Sequence, residues 1–192
     1  MPTANPAALD FLLTRRSRPA KTLTGPVPDR AQLEILLTAA ARTPDHGKLE
    51  PWRFVVLTGA ALPRLAKLVD TRAAALNIDA DQIPKARSAF ADAQLIVAVI
   101  SAPVISAKIP AIEQTYSAGA VCLSLLNAAL AAGWGANWLT GWASHDRTFI
   151  ETGLGLAPHE TIAGFIHIGT ETTTPPERPR PDISAKTTWI DA

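Results

Sequence analysis

The sequence contains few of the residues that carry reactive chemistry by themselves. It has one cysteine, Cys122, inside an apolar run, which excludes a disulfide within the chain and favours a small buried side chain. The four histidines show no metal-ligand spacing, and there is no Cys-x-x-Cys pair, phosphate loop ending in Gly-Lys-Ser/Thr, or Gly-x-Ser-x-Gly elbow. If the protein is an enzyme, a cofactor is therefore expected to carry the difficult step.

Charged residues are also scarce. They make up 18% of the 192 residues, below the roughly 25% usual for soluble domains, whereas 47% of the residues are hydrophobic. The net charge of +1 gives no basis for binding nucleic acid or an acidic membrane surface. So little charge predicts a large apolar interface between subunits. The lone cysteine and the lack of a secretory signal predict a cytoplasmic protein.

The longest uncharged segment runs from Gln114 to Ser144, which is long enough to raise the possibility of a membrane span. Polar residues recur along one side of it, and Gly133 and Gly135 interrupt it. These features favour a buried helix over about 115–131 at the centre of a dimer. We therefore expect no membrane span.

Alternating helix and strand patterns predict a single domain over residues 1–192, of either the α+β or the α/β class. The proline-rich stretch from about 170 to 192 is predicted to be extended and to pack on a partner subunit. Helices are expected near 6–18, 29–41, 60–72, 85–91, 115–131 and 145–152, and strands near 52–57, 94–100, 137–140 and 161–169. Asn5-Pro6 is expected to begin the first helix, and Asp29 with Gln32, which resembles a capping box, the second. Ser144 is expected to cap the last helix and Gly153 to end it.

Two polar stretches are candidate sites. Arg15, Arg16 and Ser17 close the first helix, where they can bind an anion through charge-assisted hydrogen bonds or simply complement the helix C-terminus. Arg42 and His46 lie in a polar, proline-stiffened connection between a helix and a strand. Such a connection is typical of a site, although a solvated loop has the same composition.

These stretches resemble the nitroreductase family of FMN-dependent NAD(P)H oxidoreductases. The resemblance rests on an ordered set of segments, with 113–119 similar to the family's small bacterial branch. The segments are Arg15-Arg16-Ser17, Arg42-Thr-Pro-Asp-His46, Pro51-Trp52-Arg-Phe54 and Gly164-x-x-x-x-Gly169. The resemblance implies a central antiparallel or mixed sheet flanked by helices, and an intertwined homodimer with a swapped C-terminal tail and FMN at the interface.

The resemblance also implies roles for particular residues. The expected FMN contacts are Arg15, Arg16 and Ser17, then Arg42 and His46 from the second subunit, Trp138, Leu139, Thr140 and Gly141 along the flavin ring, and Arg178 and Arg180 at the phosphate. The expected NAD(P) stretch is Ala128, Ala129, Leu130, Ala131, Ala132 and Gly133. Relatives of the small branch tend to have arginine where this chain has Leu139, so Arg178 or Arg180 would replace that cation. The alternative for these two arginines is a solvated tail.

The activity that the resemblance implies is ping-pong hydride transfer from NAD(P)H through FMN to a nitroaromatic, a quinone or a similar small acceptor. No residue of the chain is expected to act as a catalytic acid or base. Other flavin chemistry on the same fold, such as dehydrogenation, dehalogenation or flavin breakdown, is an alternative. A non-enzymatic flavin-binding sensor dimer is another.

Overall fold

The computed structural model describes residues 3–191, which form an antiparallel sheet flanked by helices. This is the predicted α+β architecture. The strands are β1 (Leu23–Thr24), β2 (Trp52–Thr58), β3 (Leu95–Ser101), β4 (Gly135–Leu139) and β5 (Thr161–Glu171). The helices are α1 (Pro6–Thr14), α2 (Arg30–Ala40), α3 (Ala61–Leu76), α4 (Ile83–Ala91), α5 (Ala111–Ala131) and α6 (Arg147–Leu154).

The sheet is organised around β3 and β5. Strand β3 pairs with β2 on one side and with β5 on the other, and all seven of its residues are buried. Strand β5 also pairs with β1 and with β4. A continuous apolar run is therefore the expected sequence for β3, because both of its faces are covered.

Two hydrophobic cores lie on opposite faces of this sheet. Ile96, Ala98 and Ile100 of β3 pack in the core formed with α3, α4 and α6. The intervening Leu95, Val97 and Val99 pack in the other core, formed with α2 and α5. The split follows from the alternation of side chains along a strand.

Several helix ends follow their predicted capping residues. The Asn5 side chain accepts the Ala8 N–H, and Pro6 is the first residue of α1. Asp29 and Gln32 form the predicted capping box at the start of α2. The local residue types therefore determine where these two helices begin.

Helices α5 and α6 differ from the prediction. Helix α5 begins at Ala111 rather than near residue 115, with Glu113 in its first turn, where a negative charge is favourable. Asp146 rather than Ser144 caps α6, and Gly155, with φ of 70°, ends it instead of Gly153. Gly153 is buried inside α6, since a Cβ there would lie 2.8 Å from Leu65.

Apolar side chains remain exposed at both ends of the chain. Leu9, Leu12 and Leu13 of α1 are 58–72% exposed, and Trp189 and Ile190 of the tail are more than 80% exposed. No helix within residues 3–191 combines the length and apolar character that crossing a membrane requires.

Candidate functional site

An arginine-lined cavity of about 290 Å³ lies where α1 ends and β4 begins. Helix α1 stops at Thr14 rather than at the predicted Arg18, because Arg15 leaves the helix in an extended conformation. The Arg18 N–H donates to the Ala136 carbonyl of β4 (2.8 Å), which fixes this segment beside the strand. Arg15, Arg16 and Arg18 thereby face one cavity, which we call the arginine pocket.

The C-terminal tail adds a fourth cation to this cluster. Arg180 Nη2 lies 3.5 Å from the Arg15 carbonyl and 2.7 Å from Glu177 Oε1. Both tail arginines are exposed, but the Arg178 side chain makes no hydrogen bond to this cluster within the described residues, and its backbone N–H donates to the same carboxylate. Of the two tail arginines that the sequence offers, the structure brings Arg180 to the cluster.

The arginine pocket carries an excess of positive charge. The three arginines that line it, together with Arg180 of the tail, face only two carboxylates within the described residues. These are Glu171, which lies 3.1 Å from Arg18, and Glu177. Burial, followed by the proximity of Arg180 and Arg16, lowers the pKa of the Arg15 guanidinium. An anion bound here would relieve this crowding.

Unused donors in the arginine pocket also indicate an anionic ligand. Arg15 Nη2 donates to Ser17 Oγ (3.0 Å), and Arg16 Nη1 donates to the Ser17 carbonyl (3.2 Å). The Nε atoms of Arg15 and Arg16 are buried and have no hydrogen-bond partner within the described part of the chain. Buried donors are normally paired, and phosphate oxygens are natural acceptors for guanidinium groups.

The predicted NAD(P) stretch forms the C-terminal end of α5 and borders the same pocket. Leu130 and Gly133 line it, whereas Ala129 is fully buried in the core. Ala131 and Ala132 are exposed. The stretch is thus divided between the pocket wall, the core and the surface.

A second cavity, of about 380 Å³, lies between α4, β5 and the turn that follows β4. We call it the α4 cavity. Leu139, Thr140 and Gly141 line it, together with the aromatic rings of Phe90 and Phe165. Three of the four residues predicted to follow the flavin ring therefore lie at one cavity.

The fourth residue, Trp138, packs against β5 instead. Its Nε1 donates to the Ala163 carbonyl (3.3 Å), and its ring covers Gly164, where a Cβ would collide with the indole. Gly169, at the other end of the sequence motif, lets β1 approach, since a Cβ there would lie 2.8 Å from the Thr24 carbonyl oxygen. The spaced glycines thus serve the packing of β4 and β1 on β5.

The arginine pocket and the α4 cavity lie at opposite ends of β4. Gly135, the first residue of the strand, lines the pocket, and Leu139, the last, lines the cavity. Four residue steps of extended chain span about 13 Å. Among the described strands, β4 pairs only with β5, so its other edge has no strand partner. One end of this edge is cationic and the other is aromatic.

Two buried groups at the α4 cavity were not identified from the sequence. His167 is 4% exposed, and burial lowers its pKa to about 4, which keeps the imidazole neutral at neutral pH. Trp142 also lines the cavity, and its buried Nε1 has no hydrogen-bond partner within residues 3–191. The only signal in the sequence is that His167 lies two residues after Phe165, on the same face of a strand.

Arg42 and His46 occupy a different surface. His46 Nδ1 lies 2.6 Å from Glu113 Oε2, and both side chains border an open cavity of about 330 Å³ with Tyr116 and Ser117. Arg42 is exposed. Within one chain these two residues line neither the arginine pocket nor the α4 cavity.

Serines of α5 hold the connection that carries Arg42 and His46. Ser117 Oγ donates to the Pro44 carbonyl (2.9 Å) and lies 3.2 Å from Trp52 Nε1. Ser124 Oγ lies 2.8 Å from the Thr43 hydroxyl. The polar residues that interrupt the uncharged segment therefore anchor this connection to the long helix.

The described residues contain no group of three or more His, Cys, Asp or Glu side chains that could hold a metal ion. Cys122 is fully buried, and burial raises its pKa to about 12, as expected for a packing residue.

Comparison with known proteins places the chain among nitroreductases. The model of the nitroreductase family matches residues 12–170. Over 163 residues the chain is 35% identical to "Putative NAD(P)H nitroreductase YdjA" of Escherichia coli (strain K12), covering 85% of this chain and 87% of the relative.

Solved structures share the fold. A nitroreductase-like family protein from Bacillus cereus superposes with a TM-score of 0.81 at 23% identity, over all of both chains. A protein from Desulfovibrio desulfuricans, described as a putative nitroreductase in complex with FMN, gives 0.72 at 21% identity, over 95% of this chain and 96% of that one.

Proposed function

The chain belongs to the nitroreductase family, and from this premise we propose that it is an FMN-dependent oxidoreductase. It takes a hydride from NAD(P)H and then reduces a small electron-poor acceptor, such as a nitroaromatic or a quinone. The two substrates bind at the same site, one after the other. One observation carries the proposal: a cationic pocket and an aromatic-lined cavity lie at the two ends of β4. FMN has an anionic phosphate at one end and an aromatic ring at the other.

The residues of the arginine pocket fit a phosphate. Arg15, Arg16 and Ser17 would hold it, and the unpartnered Nε atoms of the two arginines would donate to its oxygens. Arg180 would supply a further cation at the phosphate, because the tail brings its guanidinium to the Arg15 carbonyl, whereas Leu139 lies at the other end of β4. A phosphate dianion also matches the excess of cations over carboxylates in the pocket.

The stretch Trp138 to Gly141 would follow the ring. The outer edge of β4 has no strand partner among the described strands, so backbone groups along it can meet the polar edge of the ring. Gly141 would contribute only by its proximity, because its N–H and carbonyl are both bonded to Ser144. FMN supplies the redox chemistry, namely hydride acceptance from NAD(P)H and donation to the acceptor. The chain itself binds, orients and stabilises negative charge on the reduced ring through these donors and the nearby cations.

The NAD(P)H nicotinamide and the acceptor would use one binding place in turn. Of the NAD(P) stretch, the exposed Ala131 and Ala132, with Leu130 and Gly133 at the pocket, are the parts that a dinucleotide could contact. Small side chains there permit a close approach. No proton donor within the chain is assigned a catalytic role.

The working form would be an intertwined homodimer. Arg42 and His46 of one protomer would complete the flavin site of the other, which accounts for their separation from the arginine pocket within one chain. The exposed leucines of α1, together with Tyr116 (67% exposed) on α5, would be covered by the interface. The tail beyond Arg180, which lies at the arginine pocket of its own chain, would cross the partner and bury Trp189 and Ile190.

An absorption spectrum of the purified protein tests the proposal, with anaerobic addition of NADPH and then of NADH. We expect flavin bands that bleach with one or both donors and return on addition of menadione or nitrofurazone. Flavin bands that neither donor bleaches would contradict the enzyme and favour a flavin-binding sensor. Protein that binds no added FMN would contradict the cofactor assignment.

A further inference from the structure

The α4 cavity contains two hydrogen-bonding groups that the assignments above do not use. His167 projects from β5 on the same face as Phe165 and is 4% exposed. Its side chain makes no hydrogen bond within residues 3–191. The Trp142 indole N–H is buried without a partner in the same part of the chain. Buried polar groups are normally paired, so the unpaired indole N–H, beside an imidazole that lines the same cavity, indicates a ligand site.

The walls of the cavity specify the shape of that ligand. Phe90 and Phe165 meet edge to face, with ring centroids 5.3 Å apart, and Ala86 and Ala89 line the space beside them. These walls accept an apolar ring, and Asp81, Gln82 and Lys85 supply charged and polar groups to the lining. The volume of about 380 Å³ lies at the small end of the range for small-molecule sites.

We propose that His167 and Trp142 bind the oxygen-bearing edge of a planar aromatic ring in the α4 cavity. The indole donates one hydrogen bond, and the imidazole donates a second or accepts one from a ring N–H. This inference rests on the proposed function for the identity of the ring, since Thr140 and Gly141 of the flavin stretch open onto the same cavity.

Two molecules of the proposed reaction share this chemistry. The pyrimidine edge of the flavin carries two carbonyls, and a quinone or nitroaromatic acceptor carries carbonyl or nitro oxygens. The low pKa of His167, about 4, means that the imidazole is neutral at neutral pH and recognises either ring through hydrogen bonding rather than charge. If the ring is the flavin, the binding of FMN depends on His167. If the ring is the acceptor, the binding of the acceptor depends on it.

The test uses His167→Phe, which keeps a flat ring and removes both nitrogens, and Trp142→Phe, which removes the indole N–H. His167→Gln keeps hydrogen-bonding capacity and serves as the conservative variant. The exposed His159, changed to phenylalanine, is the matched control. Each variant is checked for folding by circular dichroism and thermal unfolding.

Two constants are measured for each variant: the Kd of FMN, by titration of the apoprotein with fluorescence detection, and the KM for menadione with FMN saturating. One lost hydrogen bond should weaken the affected constant by about two- to tenfold, and His167→Gln should retain most of the wild-type value. A change in the FMN Kd identifies the ring as the flavin. A change in KM alone identifies it as the acceptor.

The stability of the apoprotein separates a binding role from a structural one. If His167 binds a ligand, His167→Phe should leave the Tm of the apoprotein unchanged or higher while ligand binding weakens. If His167 only supports the fold, the Tm should fall. The proposal is overturned if folded His167→Phe and Trp142→Phe both match the wild type in both constants. It is also overturned if His167→Gln is as impaired as His167→Phe.

Failure of the proposed function gives a separate result. If the wild-type protein binds no FMN, binding of menadione to the apoprotein is measured by calorimetry for the wild type and for His167→Phe. Weaker binding by the variant supports the cavity assignment without flavin. Equal binding, or none by either protein, overturns it.

Discussion

Replacing Arg15 with alanine should weaken FMN binding without destabilising the protein. The Arg15 guanidinium bonds Ser17 through Nη2 while its Nε remains buried and unpartnered in the described structure. A hydrogen bond to a charged group contributes about 1.5–3 kcal/mol. Loss of that contribution corresponds to a roughly 10- to 150-fold higher Kd.

The stability of the apoprotein separates a binding role from a structural one. Burial and the neighbouring Arg180 and Arg16 lower the pKa of Arg15, so its charge is unfavourable in the empty pocket. Removing that charge should leave the Tm of the apoprotein unchanged or slightly higher. A packing role would instead lower the Tm and the FMN affinity together.

The assay is a titration of apoprotein with FMN at constant ionic strength, followed by flavin fluorescence. Arg30→Ala is the matched control, because that side chain is 93% exposed and pairs with Glu34 on the surface of α2. The control should bind FMN like the wild type. An Arg15→Ala protein that binds FMN with wild-type affinity would refute the phosphate assignment, and the cluster would then be a charged helix end.

Three further results are expected. In the same FMN titration, Arg180→Ala should raise the Kd by about tenfold or more and Arg178→Ala by less, and equal effects would contradict the position of the tail. The bidentate Arg53–Glu160 pair (2.6 and 2.7 Å) holds the pKa of Glu160 at about 2 against its usual 4.5. Its contribution is therefore complete above pH 4.5 and is lost as the pH falls towards 2, by about 2–3 kcal/mol in urea unfolding. Arg53→Ala should flatten that dependence, and parallel curves would argue against the pair. Cys122, fully buried and with its pKa raised to about 12, should resist thiol reagents until the protein unfolds, so rapid labelling of native protein would contradict its burial.

Much of the fold could be predicted because it depends on neighbouring residues. The Asp29–Gln32 capping box and the uniformly apolar β3 are local patterns, and both are present as predicted. The predicted ends of α6 were wrong because Asp146 lies two residues after Ser144 and Gly155 lies two residues after Gly153, so the local sequence does not choose between them. Ser144 instead accepts the Gly141 N–H in the turn before α6, and burial against Leu65 places Gly153 inside it.

The candidate site was predictable only in part. The arginine triplet and the stretch after β4 stand out as short motifs, but their relation to each other does not. His167 and Glu171 look like ordinary strand residues in the sequence, since nothing near them indicates a cavity or a cluster of cations. Their surroundings come from α4 and α1, which are remote in the chain.

The sequence by itself determined the periodicity of the helices and strands and the scarcity of reactive side chains, from which a cofactor is expected if the protein is an enzyme. Tertiary structure alone decided which charges meet. Arg180 reaches the carbonyl of Arg15 across 165 positions, whereas the side chain of Arg178, two residues away, makes no such contact within the described residues. The physical reason is that periodicity and capping act within a few residues. A binding site needs groups that only the packing of distant segments brings within hydrogen-bonding distance.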